Sequence, residues 1–224
     1  MPRLSRTNAR PERRLHAVLL AAAAALCAGA ALANQVEVAW ILKALAQPAP
    51  MRTDFVEVRG SAMLRTPLRL SGEYRRPDAQ TLVREVRAPY AETTTIRAGE
   101  ATIARAGKAP RRFSLSRAPE LASLQSSFGA LLAGDAQGLE RTYRLTASGT
   151  RQRWTLAMVP KDAALAARVR DITLYGQGAE LRCIETRPVK GDLQRTLLAS
   201  AARAVTPTSN AAEFERLCRA GVAR

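Results

Sequence analysis

Apolar and polar residues alternate along residues 64–86, and this alternation predicts the element around which the chain is organised. The apolar or small side chains share one face of an extended backbone, at Leu68, Leu70, Gly72 and Tyr74. Arginine, serine and glutamate alternate with them, and residues 81–87 repeat the pattern. Because side chains point alternately to opposite faces of a strand, the stretch predicts half-buried antiparallel strands. We therefore expect a curved sheet with one apolar face and one charged, wet face.

The chain from residue 36 onwards predicts further short strands and several helices. Apolar residues at helical spacing predict a helix over Val36–Ala46 and a weaker one over Ala211–Arg219. Further strands are predicted at Thr53–Arg59, Thr93–Arg97, Ala101–Arg105, Arg112–Ser116, Thr142–Ala147, Arg153–Val159, Asp171–Tyr175, Glu180–Thr186 and Leu193–Leu198. We interpret Gly107–Pro110 as a loop. About ten strands at meander spacing predict an α+β fold, an incomplete (half-open) antiparallel β-barrel with helical cover.

One strongly apolar helix interrupts the strands. Pro119–Ala133 carries Leu124, Phe128 and Leu131 at spacings of three and four residues, with proline in the first turn and Gly134–Asp135 after the last. It has more apolar residues than a surface helix needs. We expect it to cross the concave side of the sheet as a lid, because a curled sheet leaves a cavity unless that side is filled.

Residues 1–33 have the pattern of a secretory signal peptide. Basic residues precede an unbroken apolar run, and Ala31-Leu32-Ala33 offers a cleavage site after Ala33. Lipid attachment at Cys27 is the alternative, disfavoured because the bulky Leu26 precedes the cysteine. The sequence therefore predicts export to a periplasm, one mature domain over residues 34–224, and no membrane span in the mature chain.

Positive charge dominates the composition. The full chain carries a net charge of +16, and residues 1–33 contain five arginines and one glutamate, so the mature chain carries +12. The arginines are spread through the strands, and no basic run of five residues occurs. Nucleic-acid binding is disfavoured because it needs a clustered basic stripe with stacking aromatics. Two interpretations stay open, a solvated cationic surface and an affinity for anionic lipid headgroups.

The side chains that catalysis most often requires are missing from the mature sequence. The only histidine, His16, lies in the predicted signal peptide, and no nucleophile elbow, phosphate loop or dinucleotide motif occurs. We expect no enzyme, no cofactor and no metal site. The carboxylates of Glu57, Glu73, Glu85 and Asp171 are expected to be solvated strand residues.

Two cysteines, Cys183 and Cys218, remain in the mature chain. Export to an oxidising compartment favours a disulfide, but two unpaired thiols are an equal alternative, since sequence does not give their separation.

The order of several short motifs resembles that of the periplasmic lipoprotein carriers of the LolA type, and more closely their LolA-related branch. The resemblance rests on Trp40–Ala46, Phe55–Arg59, Pro67–Tyr74, Pro119–Leu121, Leu131–Asp135, Trp154–Leu156 with Pro160, Asp171–Gly176 and Gly191-Asp192. It implies an incomplete barrel whose apolar interior accepts acyl chains beneath a helical lid. It also implies a lid contact for an arginine before a proline, for which Arg76 is the matching candidate. A solvated strand arginine is the alternative role.

The leading hypothesis is a monomeric, non-enzymatic periplasmic carrier. It would shield acyl chains of a lipoprotein or another lipid, and pass them from an inner-membrane donor to an outer-membrane acceptor. The candidate lipid-binding residues are Leu68, Leu70, Tyr74, Leu82, Leu124, Phe128, Leu131, Trp154 and Leu156. Each could also belong to a sealed core. The alternative hypothesis is an envelope scaffold or interaction module with a filled barrel.

Overall fold

Antiparallel strands make up about half of the structure, a computed structural model that describes residues 35–59, 67–117 and 129–219. Eleven strands form one sheet in these ranges. They are β1 (Met51–Arg59), β2 (Leu68–Arg76), β3 (Leu82–Ala88), β4 (Glu92–Arg97), β5 (Glu100–Arg105), β6 (Lys108–Ser114), β7 (Tyr143–Thr150), β8 (Arg153–Pro160), β9 (Val169–Gln177), β10 (Glu180–Pro188) and β11 (Gln194–Leu198).

The first and last strands meet at the centre of the sheet. The strand order is β6-β5-β4-β3-β2-β1-β11-β10-β9-β8-β7, so each half is a meander that runs outward from the β1–β11 pair. Phe55 of β1 lies opposite Leu198 of β11 and, on its other side, opposite Gly72 of β2. The outermost strands β6 and β7 do not pair with each other. The sheet is therefore open, which confirms the predicted half-open antiparallel architecture with helices.

Short helices accompany the sheet in the described ranges. They are α1 (Val38–Leu45), α2 (Ala136–Thr142), α3 (Ala163–Ala166), α4 (Ala199–Arg203) and α5 (Ala211–Arg219). Residues 129–133 are also helical and end at Gly134, whose positive φ of 68° suits a residue without a Cβ. Most of the predicted helix Pro119–Ala133, including Leu124 and Phe128, lies outside the described residues, as does the predicted signal peptide.

The main core lies between α1 and the inner face of the sheet. Ile41 and Leu42 of α1 have no exposed surface, and they belong to one cluster with Leu131, Trp154 and Leu156. Gly176 makes room for the indole, since a Cβ at this position would lie 1.9 Å from Cζ2 of Trp154. The indole nitrogen donates a hydrogen bond to the carbonyl oxygen of Gly178 at 2.9 Å, so this buried donor is satisfied.

The outer face of the sheet is partly covered by α5. Cys218 of α5 forms a disulfide with Cys183 of β10, with 5.0 Å between the two Cα atoms. Beside it, the buried Glu185 accepts hydrogen bonds from Tyr175 Oη at 2.9 Å and Arg195 Nε at 2.6 Å, and Arg219 of α5 lies 3.5 Å away. Burial opposes ionisation of Glu185, but these neighbours hold its pKa below the usual value.

Two local predictions are wrong. Strand β6 begins at Lys108, inside the stretch interpreted as a loop, because an edge strand next to a register shift tolerates Pro110. Glu57 and Glu73 are 4% and 6% exposed rather than solvated. Arginines of β3 neutralise both of them: Arg84 Nη2 lies 2.7 Å from Glu57, and Arg87 Nη2 lies 2.7 Å from Glu73.

Candidate functional site

A cavity of about 650 Å³ lies where α1, residues 129–133 and the β1–β11–β10 part of the sheet come together. Its apolar walls come from both the helices and the sheet, namely from Leu45, Met51, Leu131, Leu132, Leu181 and Leu198. Leu131 and Leu132 adjoin α1 because the chain turns sharply at Gly134, which packs against the end of α1. The cavity therefore has a wall that belongs to the end of the predicted lid helix.

Charged side chains also line this cavity, and each has a partner. Arg52 Nε lies 3.6 Å from Glu73, and Arg203 Nη1 lies 3.9 Å from Asp54. Both arginine side chains are well exposed, at 79% and 62%. Glu180 accepts a hydrogen bond from the hydroxyl of Ser200. The site is thus an apolar pocket with a polar, mixed-charge rim, a combination typical of pockets that bind amphipathic small molecules.

Arg76 connects β2 to this helical wall through one intermediate residue. The arginine is 9% exposed, and its Nη1 donates a hydrogen bond to the carbonyl oxygen of Gln47 at 3.1 Å. The backbone amide of Gln47 in turn donates a hydrogen bond to the carbonyl oxygen of Leu132 at 3.0 Å. Arg76 is therefore a buried residue that supports the segment next to residues 129–133. A direct contact of Arg76 with the lid stays a prediction.

The inner face of β1–β3 carries a polar group that the sequence did not indicate. Glu57 also accepts a hydrogen bond from Arg59 Nε, and the Arg84 guanidinium lies 4.8 Å from the centre of the Phe55 ring. Tyr74 interacts with Arg84, and burial is the main cause that raises the pKa of its phenol. Glu57, Tyr74 and Arg84 lie on three different strands, so only the strand register shows that they meet. Together they place charged side chains in the middle of an otherwise apolar face of the sheet.

The candidate lipid-binding residues separate into three sets. Leu131 lines the cavity. Leu124 and Phe128 lie outside the described residues. The remaining candidates are core or partly buried residues of the sheet: Leu68, Leu70, Tyr74, Leu82, Trp154 and Leu156. Contact of any of them with a lipid stays a prediction.

Comparison with known proteins identifies the family. The family model described as "Outer membrane lipoprotein carrier protein LolA-like" matches residues 30–221. The chain belongs to the LolA-like family. LolA-like proteins are carriers associated with lipid or lipoprotein binding, and they are typically periplasmic.

Solved structures similar to this LolA-like protein share little sequence with it. A LolA superfamily protein from Nitrosomonas europaea is 10% identical, with 73% of this chain and 91% of that chain covered and a TM-score of 0.37. The MucA/MucB complex of Pseudomonas aeruginosa matches at 17% identity, 80% and 62% coverage and a TM-score of 0.37. LprF from Mycobacterium bovis matches at 15% identity, 77% and 96% coverage and a TM-score of 0.33. No curated protein sequence is significantly similar to the chain.

Two further findings concern the described residues of this LolA-like protein. None of the helices in these ranges has the length and apolar composition needed to cross a bilayer. The same ranges contain no group of three or more histidine, cysteine, aspartate or glutamate side chains arranged to hold a metal ion.

Proposed function

We propose that this protein is a periplasmic, non-enzymatic carrier that binds acyl chains of a lipoprotein or another lipid and delivers them towards the outer membrane. The observation that carries the proposal is the cavity of about 650 Å³ with leucines on both its helical and its sheet walls. Pockets for small molecules and cofactors span roughly 300–1,000 Å³, so the volume suits an acyl chain. Membership of the LolA-like family supports the same cargo class.

Burial of methylene groups supplies the binding energy in this proposal. Each methylene contributes about 0.8 kcal/mol, so about ten of them contribute roughly 8 kcal/mol before the entropy of immobilisation is subtracted. A gain of that size supports binding in the micromolar range or weaker, which still allows release to an acceptor.

The proposed mechanism is a movement of residues 129–133 away from α1. This movement enlarges the cavity, because Leu131 and Leu132 form one of its walls. The Arg76–Gln47–Leu132 hydrogen bonds hold the closed state, and their rupture accompanies entry of the acyl chain. The cargo then passes to a membrane partner when the segment opens again.

An envelope scaffold with a filled barrel is the second candidate function. It is favoured by one observation, the complete burial of Trp154 and Leu156 on the inner face, where each has 0% exposure. Native mass spectrometry of protein purified from cells separates the two functions. Co-purifying lipid supports the carrier, whereas a bare polypeptide mass together with failure to bind a fluorescent fatty acid supports the scaffold.

A cavity-filling variant tests whether this cavity is the binding site. Ala179 lines the cavity from the β9–β10 turn, so Ala179→Trp places an indole in the space. We expect the affinity for a fluorescent fatty acid to fall at least tenfold without loss of folding. Ala164→Trp, on the exposed side of α3, is the matched control and should leave the affinity unchanged. Equal affinities of both variants and the parent protein would place the lipid elsewhere.

Export is the remaining part of the proposal. Protein recovered from the periplasm should begin at Asn34, because Ala31 and Ala33 supply the small residues that the signal peptidase requires. Intact-mass measurement of an uncleaved or acylated chain would contradict this.

A further inference from the structure

The edge strand β6 carries three cations within five residues, Lys108, Arg111 and Arg112. All three side chains are exposed, and none of them forms an ion pair or hydrogen bond with any residue in the described ranges. Arg105 on the neighbouring strand β5 behaves differently, since it pairs with Glu92 of β4. We call Lys108, Arg111 and Arg112 the basic edge.

Protection against strand addition does not account for the basic edge. Exposed edge strands are commonly guarded by prolines, bulges or charged side chains. Strand β6 already has Pro110, which lacks an amide hydrogen, and a register shift between Ile103 and Arg105 of its partner strand. These two features make β6 a poor template for another strand. Because the proline and the register shift already protect this edge, the three cations of the basic edge are available for another role.

A recess adjoins the basic edge at the turn between β5 and β6. It has a volume of about 450 Å³ and is lined by Tyr90, Ala91, Arg105, Ala106 and Lys108. Tyr90 is 40% exposed, one of the most exposed large hydrophobic side chains in the described ranges. The Arg105 guanidinium lies 5.5 Å from the centre of the Tyr90 ring, and Arg105 also pairs with Glu92. An exposed tyrosine beside cations has the amphipathic character of side chains at membrane–water interfaces.

We infer that the basic edge, with the Tyr90 recess, docks the protein on a bilayer that exposes anionic headgroups. The cations attract the negative surface, and the Tyr90 ring enters the headgroup region with Arg105 and Lys108 around it. A folded protein partner that pairs with β6 is disfavoured by Pro110 and the register shift. The inference goes beyond the proposed carrier function, because it concerns a surface on β5, β6 and the β3–β4 turn that shares no residue with the 650 Å³ cavity.

The size of the effect follows from the number of charges. A lysine or arginine near an anionic bilayer strengthens membrane binding about fivefold. The three cations of the basic edge should therefore strengthen it roughly 100-fold at low ionic strength. The attraction should weaken steeply with salt, because the Debye length shrinks from about 10 Å at 0.1 M to about 3 Å at 1 M ionic strength.

Vesicle co-sedimentation tests the inference. The parent protein should bind vesicles of phosphatidylglycerol and phosphatidylcholine, but not vesicles of phosphatidylcholine alone. The triple variant Lys108→Gln/Arg111→Gln/Arg112→Gln should lose roughly 100-fold in partitioning, with unchanged thermal unfolding since all three side chains are exposed. The matched control Arg144→Gln/Arg153→Gln/Arg170→Gln removes the same charge from exposed positions on β7, β8 and β9.

The outcomes separate docking from carriage. A loss of vesicle binding in the basic-edge variant, together with near-parental vesicle binding of the control, supports the inference. An equal loss in both variants would overturn it in favour of a net-charge effect, and absence of parental binding to phosphatidylglycerol vesicles would overturn it outright. Binding of a fluorescent fatty acid, measured without vesicles, should be equal in all three proteins. Failure of that fatty-acid binding would contradict the carrier function and leave the docking result standing.

Discussion

Truncation of two leucines to alanine distinguishes a wall of a working cavity from a sealed core. Leu156 on β8 has 0% exposure and packs in the main core, whereas Leu132 is 6% exposed and borders the 650 Å³ cavity. Both substitutions remove the same atoms. They differ in what surrounds the space that is left.

The expected losses follow from these surroundings. Each Leu→Ala change removes three carbon groups, which corresponds to a transfer free energy of about 2.4 kcal/mol when the side chain is buried. At Leu156 a new enclosed void adds a further penalty, so the total should be about 4 kcal/mol, within the usual range of about 2–5 kcal/mol. At Leu132 the removed atoms adjoin space that already exists, and few contacts are lost. We expect a loss of about 1–2 kcal/mol there, with little of the cavity penalty.

Urea unfolding followed by circular dichroism measures both losses, and displacement of a fluorescent fatty acid measures binding. Leu132→Ala should weaken acyl-chain binding severalfold, since about three methylene-sized contacts are involved. Leu156→Ala should leave the dissociation constant unchanged. Equal losses of stability near 4 kcal/mol, with no change of binding in either variant, would mean that the cavity is closed by permanent packing and that the protein is not a carrier.

Three further perturbations test the features that hold the sheet and its helices together. Gly176→Ala forces a methyl group against the buried Trp154 indole and should lower the free energy of unfolding in urea by about 1–3 kcal/mol. The loss should be smaller in a Trp154→Phe background. Strict additivity of the two substitutions would contradict the steric explanation. Reduction of Cys183–Cys218, which closes a loop over a sequence separation of 35, should lower the free energy of unfolding by about 3–4 kcal/mol; two titratable thiols in denatured, non-reduced periplasmic protein would refute the bridge. The pKa of Glu185 is lower in the folded protein than in the unfolded chain, so the ionised carboxylate stabilises the fold at pH values above the unfolded pKa. This stabilisation is lost as the pH falls through the lower folded pKa, so Glu185→Gln should make the free energy of unfolding less dependent on pH in the acid range. An unchanged pH dependence would exclude Glu185 as its source.

The spacing of apolar residues along the sequence predicts most strands and helices, because alternation in a strand and three- or four-residue spacing in a helix are local properties. The alternation from Leu68 to Tyr74 lies in β2, and the weak C-terminal helix has the predicted bounds Ala211–Arg219. The sequence pattern does not indicate the short helix α2, because Gly134 and Asp135 mark only the end of the preceding predicted helix. In the structure Asp135 also begins α2, because its Oδ1 accepts a hydrogen bond from the amide of Gly138.

The candidate site could not be located from the sequence to the same degree. Its walls come from segments far apart in the chain, such as Leu45, Leu132 and Leu198, and only the β1–β11 pairing brings them together. The interpretation of Glu57 as solvated failed for the same reason, because its partner Arg84 lies two strands away. A pattern reports which face a residue occupies, but not which distant residue neutralises it.

The pairing of β1 with β11 also has a consequence for the order of events during synthesis. Strand β1 is made early, yet one of its two neighbours, β11, is among the last segments to leave the ribosome. Until then the central strand has an unpaired side, and the contacts that join the two halves are the most distant in the sequence, which slows folding. Nearly the whole chain must therefore be available before the sheet can close across its middle. A chain that stops before Gln194 lacks the junction between the halves, so a truncation that removes β11 divides the molecule instead of trimming its edge.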